Sequence, residues 1–204
     1  MYSKKTGLVL GFHGCDETTC NRVINGGNLK PSKNDYDWLG NGMYFWETDP
    51  IRAMEWAEQA AKRPSSSVKT PAVIGAVIDL GNCLDLTNRK SQPFLRLGYE
   101  KLQEYCLKNG VEMPRNDNVG NNKDELLRRL DCAVIQMIHA TIQLEQNSGI
   151  MPFDSVRGMF VEGGPAYKGA GIMEKTHTQL CIVNPNCIKG YFLPREQDNA
   201  YAIP

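Results

Sequence analysis

The sequence has no excess of charge of either sign and no long hydrophobic run. Its 204 residues include 23 Lys and Arg and 23 Asp and Glu, so the formal net charge is zero. A protein that binds nucleic acid mainly through its electric field would have a basic excess, so that class is disfavoured. A helix that spans a membrane needs about 20 predominantly apolar residues in a row, and the sequence holds no such run. We therefore expect no membrane partner.

Signals for secretion, disulfide pairing and zinc binding are also missing. The apolar run Leu8-Val9-Leu10 is too short for the centre of a signal peptide, and no small-residue cleavage site follows it. None of the seven cysteines forms a C-x-x-C pair, and an odd, scattered set in a chain of this length does not indicate a disulfide framework. The sequence predicts a cytoplasmic protein with reduced, packed thiols and no bound metal.

The nucleotide-binding motifs of parallel α/β folds are absent as well. No G-x-G-x-x-G and no G-K-[ST] opens a predicted helix, so a Rossmann or P-loop fold is disfavoured. Predicted strands come first, predicted helices occupy the middle, and further strands follow. This order is typical of α+β folds with antiparallel pairing. The sequence predicts a single domain over 1–204, with a helical insertion at about 91–149.

Three local patterns contain residues suited to chemistry. Phe12-His13-Gly14 ends the first predicted strand, and L-G-N-G-M-Y-F at 39–45 leads into a predicted helix. H-T-Q-L-C-I-V at 177–183 begins the last predicted strand pair. Each pattern alone is typical of an ordinary strand end or turn, so the evidence lies in their order along the chain.

In that order, the three patterns resemble the ADP-ribosyltransferases of the diphtheria-toxin and poly(ADP-ribose) polymerase branch, which carry a His-Tyr-Glu triad. The resemblance covers 8–60 and, more weakly, 157–193. It implies an α+β fold with split antiparallel β-sheets around a cleft for NAD. It also implies cleavage of the bond between nicotinamide and ribose, through a transition state that resembles a ribosyl oxocarbenium ion.

The resemblance also implies roles for individual residues. The backbone N–H and C=O of Gly14 would hold the nicotinamide carboxamide, and the His13 side chain would bind a ribose hydroxyl. Gly42 would help to form the turn that aims Tyr44, whose ring would stack on nicotinamide. Members of the branch often have a second stacking aromatic residue on the next helix. Trp56 is the nearest candidate, one residue beyond the expected position.

Gln179 stands where the branch carries the Glu of the triad. Glutamine can donate and accept hydrogen bonds, but it has no charge and cannot act as a base. One hypothesis is an acceptor that is nucleophilic enough without a base. Another is that Glu162 or Glu174 supplies the missing carboxylate, and a third is loss of activity. His177 matches a position that often contacts the acceptor in related enzymes.

The resemblance therefore implies a mono-ADP-ribosyltransferase that moves ADP-ribose from NAD to a protein or nucleic-acid acceptor and releases nicotinamide. A small transferase of this kind resembles the toxins of toxin–antitoxin or phage-defence systems, which would make an antitoxin a further partner. The alternative is a catalytically weak or inactive module that binds NAD or ADP-ribose. An RNA 2′-phosphotransferase, a relative that also uses NAD, is disfavoured because the chain has only three histidines.

Overall fold

The computed structural model describes residues 7–119, 124–144 and 149–201. Within these ranges the chain forms nine β-strands and four α-helices. The strands are β1 (Val9–Asp16), β2 (Met43–Glu47), β3 (Pro71–Ile78), β4 (Cys83–Asp85), β5 (Asn116–Asp117), β6 (Leu127–Arg128), β7 (Ser155–Phe160), β8 (His177–Ile182) and β9 (Ile188–Phe192). The helices are α1 (Glu17–Ile24), α2 (Pro50–Ala61), α3 (Gln92–Asn109) and α4 (Arg129–Leu144).

The helix ends carry residues of the types that cap helices. The Asp16 carboxylate accepts a backbone N–H from the first turn of α1 at 3.0 Å. Asp49 accepts the Arg52 backbone N–H at 2.8 Å, and Pro50 occupies the first turn of α2, where its missing N–H costs nothing. Gly110 ends α3 in the left-handed conformation, with φ of 63°. Local sequence therefore sets where these helices start and stop.

Seven strands form one sheet in the order β4-β7-β8-β2-β1-β3-β9. Neighbouring strands are antiparallel except for β4 and β7, which are parallel. The fold is therefore α+β, as the sequence predicts. The prediction of separate split sheets requires a correction, because one continuous sheet joins the strands. The parallel pairing of β4 with β7 was not predicted, since the two strands are far apart in sequence.

The joint between the two halves of the sheet is short. β1 pairs with β2 only at Gly11 with Glu47 and at Phe12 with Trp46, whereas β1 pairs with β3 over its full length. A backbone hydrogen bond from the Thr48 N–H to the Leu10 carbonyl, 2.9 Å long, adds one further link. Beyond Phe12 the two strands diverge. The two halves thus meet along three residues and open at the C-terminal end of β1.

Each face of the sheet has its own helices and its own core. On the face that we call the α1 face, Phe45 and Ile74 pack with Val23 of α1. On the opposite face, the α2 face, Phe12 and Trp46 pack against α2. The α2 face also carries α3 and α4, which form a second core with strands β4, β7 and β8. Residues that face each other across paired strands share a face, so register assigns each site residue to one side.

The predicted helical insertion corresponds to α3 and α4, between β4 and β7. The second of these helices starts at Arg129, directly after Leu127 and Arg128, which pair with β5. None of the helices in the described ranges combines the length and apolar character that crossing a bilayer requires. No disulfide is formed among the described cysteines, and six of them are buried.

Candidate functional site

The pairing of β1 with β2 ends before Gly14, so the backbone of this buried residue has no paired partner on β2. The Leu10 carbonyl points towards β2, and alternate residues of a strand point their N–H and C=O in the same direction. The N–H and C=O of Gly14 therefore face the β2 side too, where the ladder would next join Gly14 to Tyr44. The ladder ends before that pair, at Phe12 and Trp46. One donor and one acceptor of Gly14 thus point into the gap between β1 and β2.

The His13 ring fills part of this gap. Its Nδ1 lies 2.7 Å from the Tyr44 carbonyl oxygen. A carbonyl only accepts, so Nδ1 donates, and the neutral ring keeps Nε2 as an acceptor. Burial lowers the pKa of His13, which keeps the ring neutral. The ring lies on the α1 face, 5.9 Å from the Phe45 ring.

Tyr44 is held by its hydroxyl group. The oxygen accepts the Leu39 backbone N–H and donates to the Gly40 carbonyl, both at 2.9 Å. Gly40 has φ of 82°, a left-handed conformation that suits glycine in this turn. A Cβ on Gly42 would lie 2.5 Å from the Cys181 sulfur, so only glycine lets the turn rest against β8. Burial raises the pKa of Tyr44 far above its usual value, so the hydroxyl stays protonated.

A cleft of about 380 Å³ opens at the end of β1. It contains three of the predicted residues, His13, Gly14 and Trp56. Trp56 is 36% exposed and forms the wall on the α2 face. From there the cleft passes around the end of β1 to α1 and to Lys30 on the α1 side. The remaining lining residues are Cys15, Asp16, Thr18, Thr19, Arg22, Leu29, Ser67 and Val68.

Helix α2 lies directly on Gly14. A Cβ at this position would be 3.3 Å from the Ala57 Cβ and 3.1 Å from the Ala53 carbonyl carbon, and closer still to its oxygen. Ala53 and Ala57 are completely buried, and their small side chains allow this approach. Glycine at position 14 and alanines on α2 therefore set the distance between the helix and the strand that together shape the cleft.

Gln179 and His177 lie in a second cluster, on the α2 face, and do not line the cleft. Register places Gln179 opposite Trp46 on the neighbouring strand. The Trp46 ring lies 6.2 Å from the His177 ring and 6.0 Å from the Trp56 ring, so it separates this cluster from the cleft. His13 and Gln179 therefore lie on opposite faces of the sheet. A ligand that contacts both residues must pass through the gap at the end of β1.

The two candidate carboxylates have different environments. Glu162 is nearly buried, with its side chain 12% exposed, and it pairs with Arg52 of α2 at 2.8 Å. The same carboxylate is 3.9 Å from the Nδ1 of His177. Glu174 is exposed in the loop before β8, where its backbone N–H bonds the Gly164 carbonyl. The structure thus joins Glu162, but not Glu174, to the cluster around His177.

Sequence reasoning missed two residues of this cluster. The Trp38 indole N–H donates to the Gln179 side-chain oxygen at 2.7 Å, across 141 positions of sequence. Arg52 is 8% exposed and pairs with Glu162 across 110 positions. Among the described residues, Arg52 Nε and Nη1 and Trp46 Nε1 are buried donors without a hydrogen-bond partner, although Nη1 lies 3.7 Å from the Glu55 carboxylate. No local pattern marks either contact, because the partners are far apart in sequence.

Comparisons with known proteins reach one distant relative. An uncharacterized protein of Methanocaldococcus jannaschii is 24% identical over 194 residues, which cover 87% of this chain and 83% of the relative. No protein-family model matches the chain. No solved structure matches it. The similarity extends over most of both chains, and the name of the relative assigns it no activity.

Proposed function

We propose that this protein is a mono-ADP-ribosyltransferase that takes NAD as its substrate. The observation that carries the proposal is the gap at the end of β1. There the N–H and C=O of the buried Gly14 face the gap beside the cleft, and the His13 side chain donates to the Tyr44 carbonyl, which the Gly14 N–H would bond in a continued ladder. A primary carboxamide such as that of nicotinamide has one acceptor and one donor side by side, which complements this pair.

The shape of the cleft suits a ligand with two halves. Nicotinamide on the α2 face would lie near Gly14 and against the exposed Trp56 ring. The other half would pass through the gap to the α1 face, where Arg22 and Lys30 bring positive charge near a pyrophosphate. His13 lies at the gap between the two faces, and its Nε2 can accept a hydrogen bond from a ribose hydroxyl. A dinucleotide fits this course better than a single nucleotide, which would fill one side only.

The reaction would break the bond between C1′ of the ribose and the ring nitrogen of nicotinamide. The bonding electron pair stays with nicotinamide, and the ribosyl centre gains oxocarbenium character. The acceptor then donates an electron pair to C1′ and loses its proton. The protein would contribute a grip on nicotinamide, orientation of the ribose and exclusion of water. Gln179 lies beyond Trp46, outside the cleft, so it would orient only a group that reaches past that ring, and it would add no charge. The acceptor must therefore be a good nucleophile or find its base in Glu162.

The acceptor is a protein or a nucleic acid. Zero net charge disfavours a protein that scans nucleic acid, although it leaves room for one particular RNA or DNA substrate. Action as a toxin in a toxin–antitoxin or phage-defence system would fit a small transferase, and an antitoxin would then cover the cleft.

One observation favours a second candidate, a module that binds NAD or ADP-ribose without cleaving it. Both ends of the Gln179 amide already have partners, and the nearby Glu162 carboxylate is neutralised by Arg52. Neither residue offers an unpaired charge to an oxocarbenium ion. Binding through Gly14 and Trp56 would persist in such a module, whereas cleavage would not.

The decisive experiment is incubation with NAD, with nicotinamide release followed by chromatography and NAD binding by calorimetry. Release of nicotinamide supports the transferase, and binding of NAD without release supports the module. The absence of both binding and release would refute both candidates. Trp56→Ala should weaken NAD binding about 10- to 100-fold if the ring stacks on nicotinamide. Tyr105→Ala on α3, which changes an exposed aromatic outside the cleft, is the matched control. Labelled NAD in lysate, with and without nuclease and protease, then identifies the class of acceptor.

A further inference from the structure

The side chains of Trp38, Gln179 and His177 form a chain of hydrogen bonds with a fixed direction. His177 Nδ1 lies 2.6 Å from the Lys175 carbonyl oxygen. Because that oxygen can only accept, Nδ1 carries the hydrogen. In the neutral ring Nε2 is then an acceptor. The hydrogen bond to Lys175 thus decides that the His177 nitrogen nearest Gln179, Nε2, is an acceptor.

The Gln179 amide has only one orientation that satisfies both of its neighbours. Trp38 Nε1 is solely a donor, so the atom 2.7 Å from it is the Gln179 oxygen. The amide nitrogen is then 3.0 Å from His177 Nε2 and donates to it. The flipped amide would set two donors against each other at Trp38 and two acceptors against each other at His177. The orientation follows from the partners and needs no observed hydrogens.

Gly158 makes this arrangement possible. It stands opposite Gln179 on strand β7, and a Cβ there would lie 3.0 Å from Cζ3 of the Trp38 ring and closer to its Cη2. Trp38 also packs edge-on against Phe160, with ring centroids 5.2 Å apart. The indole is therefore seated by packing, independently of its bond to Gln179.

The groups around His177 favour its neutral form. Burial is the main cause that lowers the pKa of His177, and the Arg52 guanidinium adds to it. The Lys175 carbonyl and the carboxylates of Glu162 and Asp49 act in the opposite direction. The Phe160 ring stacks on the imidazole at 5.7 Å and is itself covered by the Arg128 guanidinium at 4.9 Å.

We infer that Trp38 and His177 are positioning residues that hold the Gln179 amide with its nitrogen towards His177, so that a carboxylate at position 179 fits this site only when His177 is protonated. Such a carboxylate could still accept from Trp38. Its second oxygen, however, would meet the Nε2 lone pair at about 3 Å, where hydrogen bonds form. A proton on Nε2 turns this repulsion into a charge-assisted hydrogen bond, while Nδ1 continues to donate to Lys175.

A role of Gln179 and His177 in catalysis rests on the proposed NAD reaction. The amide has a second N–H, which can donate to a ribose hydroxyl in a direction set by the other two bonds. The Gln179 amide thus keeps this orientation only while His177 is neutral and Nε2 can accept its N–H. Replacing Gln179 by Glu alone would restore a charge only at a pH where His177 can take up a proton.

The test on the native protein is histidine NMR. Long-range ¹⁵N–¹H correlation should show His177 as the tautomer with the hydrogen on Nδ1, and the opposite tautomer would overturn the inference. In Gln179→Glu, the His177 pKa should rise by about one unit or more. Gln179→Met, of similar size and without the amide, should not raise it. A rise below about 0.3 unit in Gln179→Glu would contradict the inference.

Two further variants keep the test independent of folding and of activity. Gly158→Ala should displace Trp38 and move the indole N–H resonance upfield, which needs no catalysis to observe. If the protein releases nicotinamide, release by Gln179→Glu should rise about tenfold between pH 8 and pH 6, following His177. Adding His177→Gln to Gln179→Glu should remove that pH dependence, since an amide donates at any pH. An absence of nicotinamide release in every form would refute the proposed reaction, while the NMR result would still judge the inference.

Discussion

His13 Nδ1 donates to the Tyr44 carbonyl oxygen at 2.7 Å, at the point where β1 and β2 stop pairing. In a continued ladder the Gly14 N–H would bond that same carbonyl. The His13 side chain thus takes the place of a backbone donor, satisfies the Tyr44 carbonyl and leaves the Gly14 N–H to a ligand. A neutral imidazole is suited to this exchange, because one nitrogen donates while the other still accepts.

Substitution of Gly14 should affect both stability and binding. Gly14→Ala places a methyl group against the Ala53 carbonyl, so α2 must move away from β1. We expect a loss of about 1–3 kcal/mol in the free energy of unfolding, measured with urea, and a large loss of NAD binding. Gly190→Ala is the control, because a Cβ at that strand glycine meets nothing within 4 Å. Equal effects of the two substitutions would contradict the close packing of α2 on β1.

Removal of the Tyr44 hydroxyl should destabilise the turn before β2. Tyr44→Phe leaves the Leu39 N–H and the Gly40 carbonyl without the partner they have now. The expected cost is about 1–3 kcal/mol of unfolding free energy, since a buried unsatisfied group loses its bond to water as well. Tyr105→Phe, at an exposed tyrosine of α3, should cost almost nothing. Denaturation curves of the two variants provide the comparison.

The two candidate carboxylates should respond differently to neutralisation. Glu162→Gln removes the charge that Arg52 faces at 2.8 Å and should lower the unfolding free energy, because it leaves the nearly buried guanidinium with only the more distant, exposed Glu55 carboxylate at 3.7 Å. If Glu162 also serves as the base, transfer of ADP-ribose to the acceptor should fall while NAD binding remains. Glu174→Gln, at an exposed loop position, should change neither quantity. A loss of transfer in Glu174→Gln alone would reverse the assignment.

Stability should fall as the pH drops below about 6.5, the ordinary pKa of histidine in an unfolded chain. Burial lowers the pKa of His13, His139 and His177 in the folded protein. Between the two values the unfolded chain binds more protons, so each histidine costs up to about 1.4 kcal/mol per pH unit as the pH falls. Urea titrations from pH 7.5 to 5 measure the slope. His139→Gln should reduce it, and an unchanged slope would show that His139 takes up its proton without unfolding.

The sequence predicts the parts of the site that depend on neighbours in the chain. The caps at Asp16 and Asp49 and the turn before Tyr44 follow from local patterns, and the structure contains all of them. The fold class follows from the order of the elements. What the sequence does not predict is long-range pairing: the single sheet, the contact of Trp38 with Gln179 and the Arg52–Glu162 pair. These depend on strand register, which no local pattern sets.

Position 179 shows most clearly what the sequence alone cannot predict about the site. The sequence reveals a Gln in place of a Glu, and from this alone a Gln179→Glu substitution would be expected to restore charge. The structure adds that His177 Nε2 faces that side chain with a lone pair. The expected effect of the substitution therefore depends on the pH, a conclusion that required the positions of both partners.

The pairing of β2 with β8 also governs when this protein can fold during its synthesis. Met43–Glu47 meets His177–Ile182 in the sheet, and the whole of residues 48–176 lies between them. A ribosome must therefore make almost all of the described chain before β2 finds its second neighbour, and until then that edge can pair with other chains. Nascent chains stalled before residue 177 should be cut readily by protease near β2, and chains released after β8 should resist it. The sequence separation of this one strand pair thus sets the earliest point in synthesis at which the sheet can be completed.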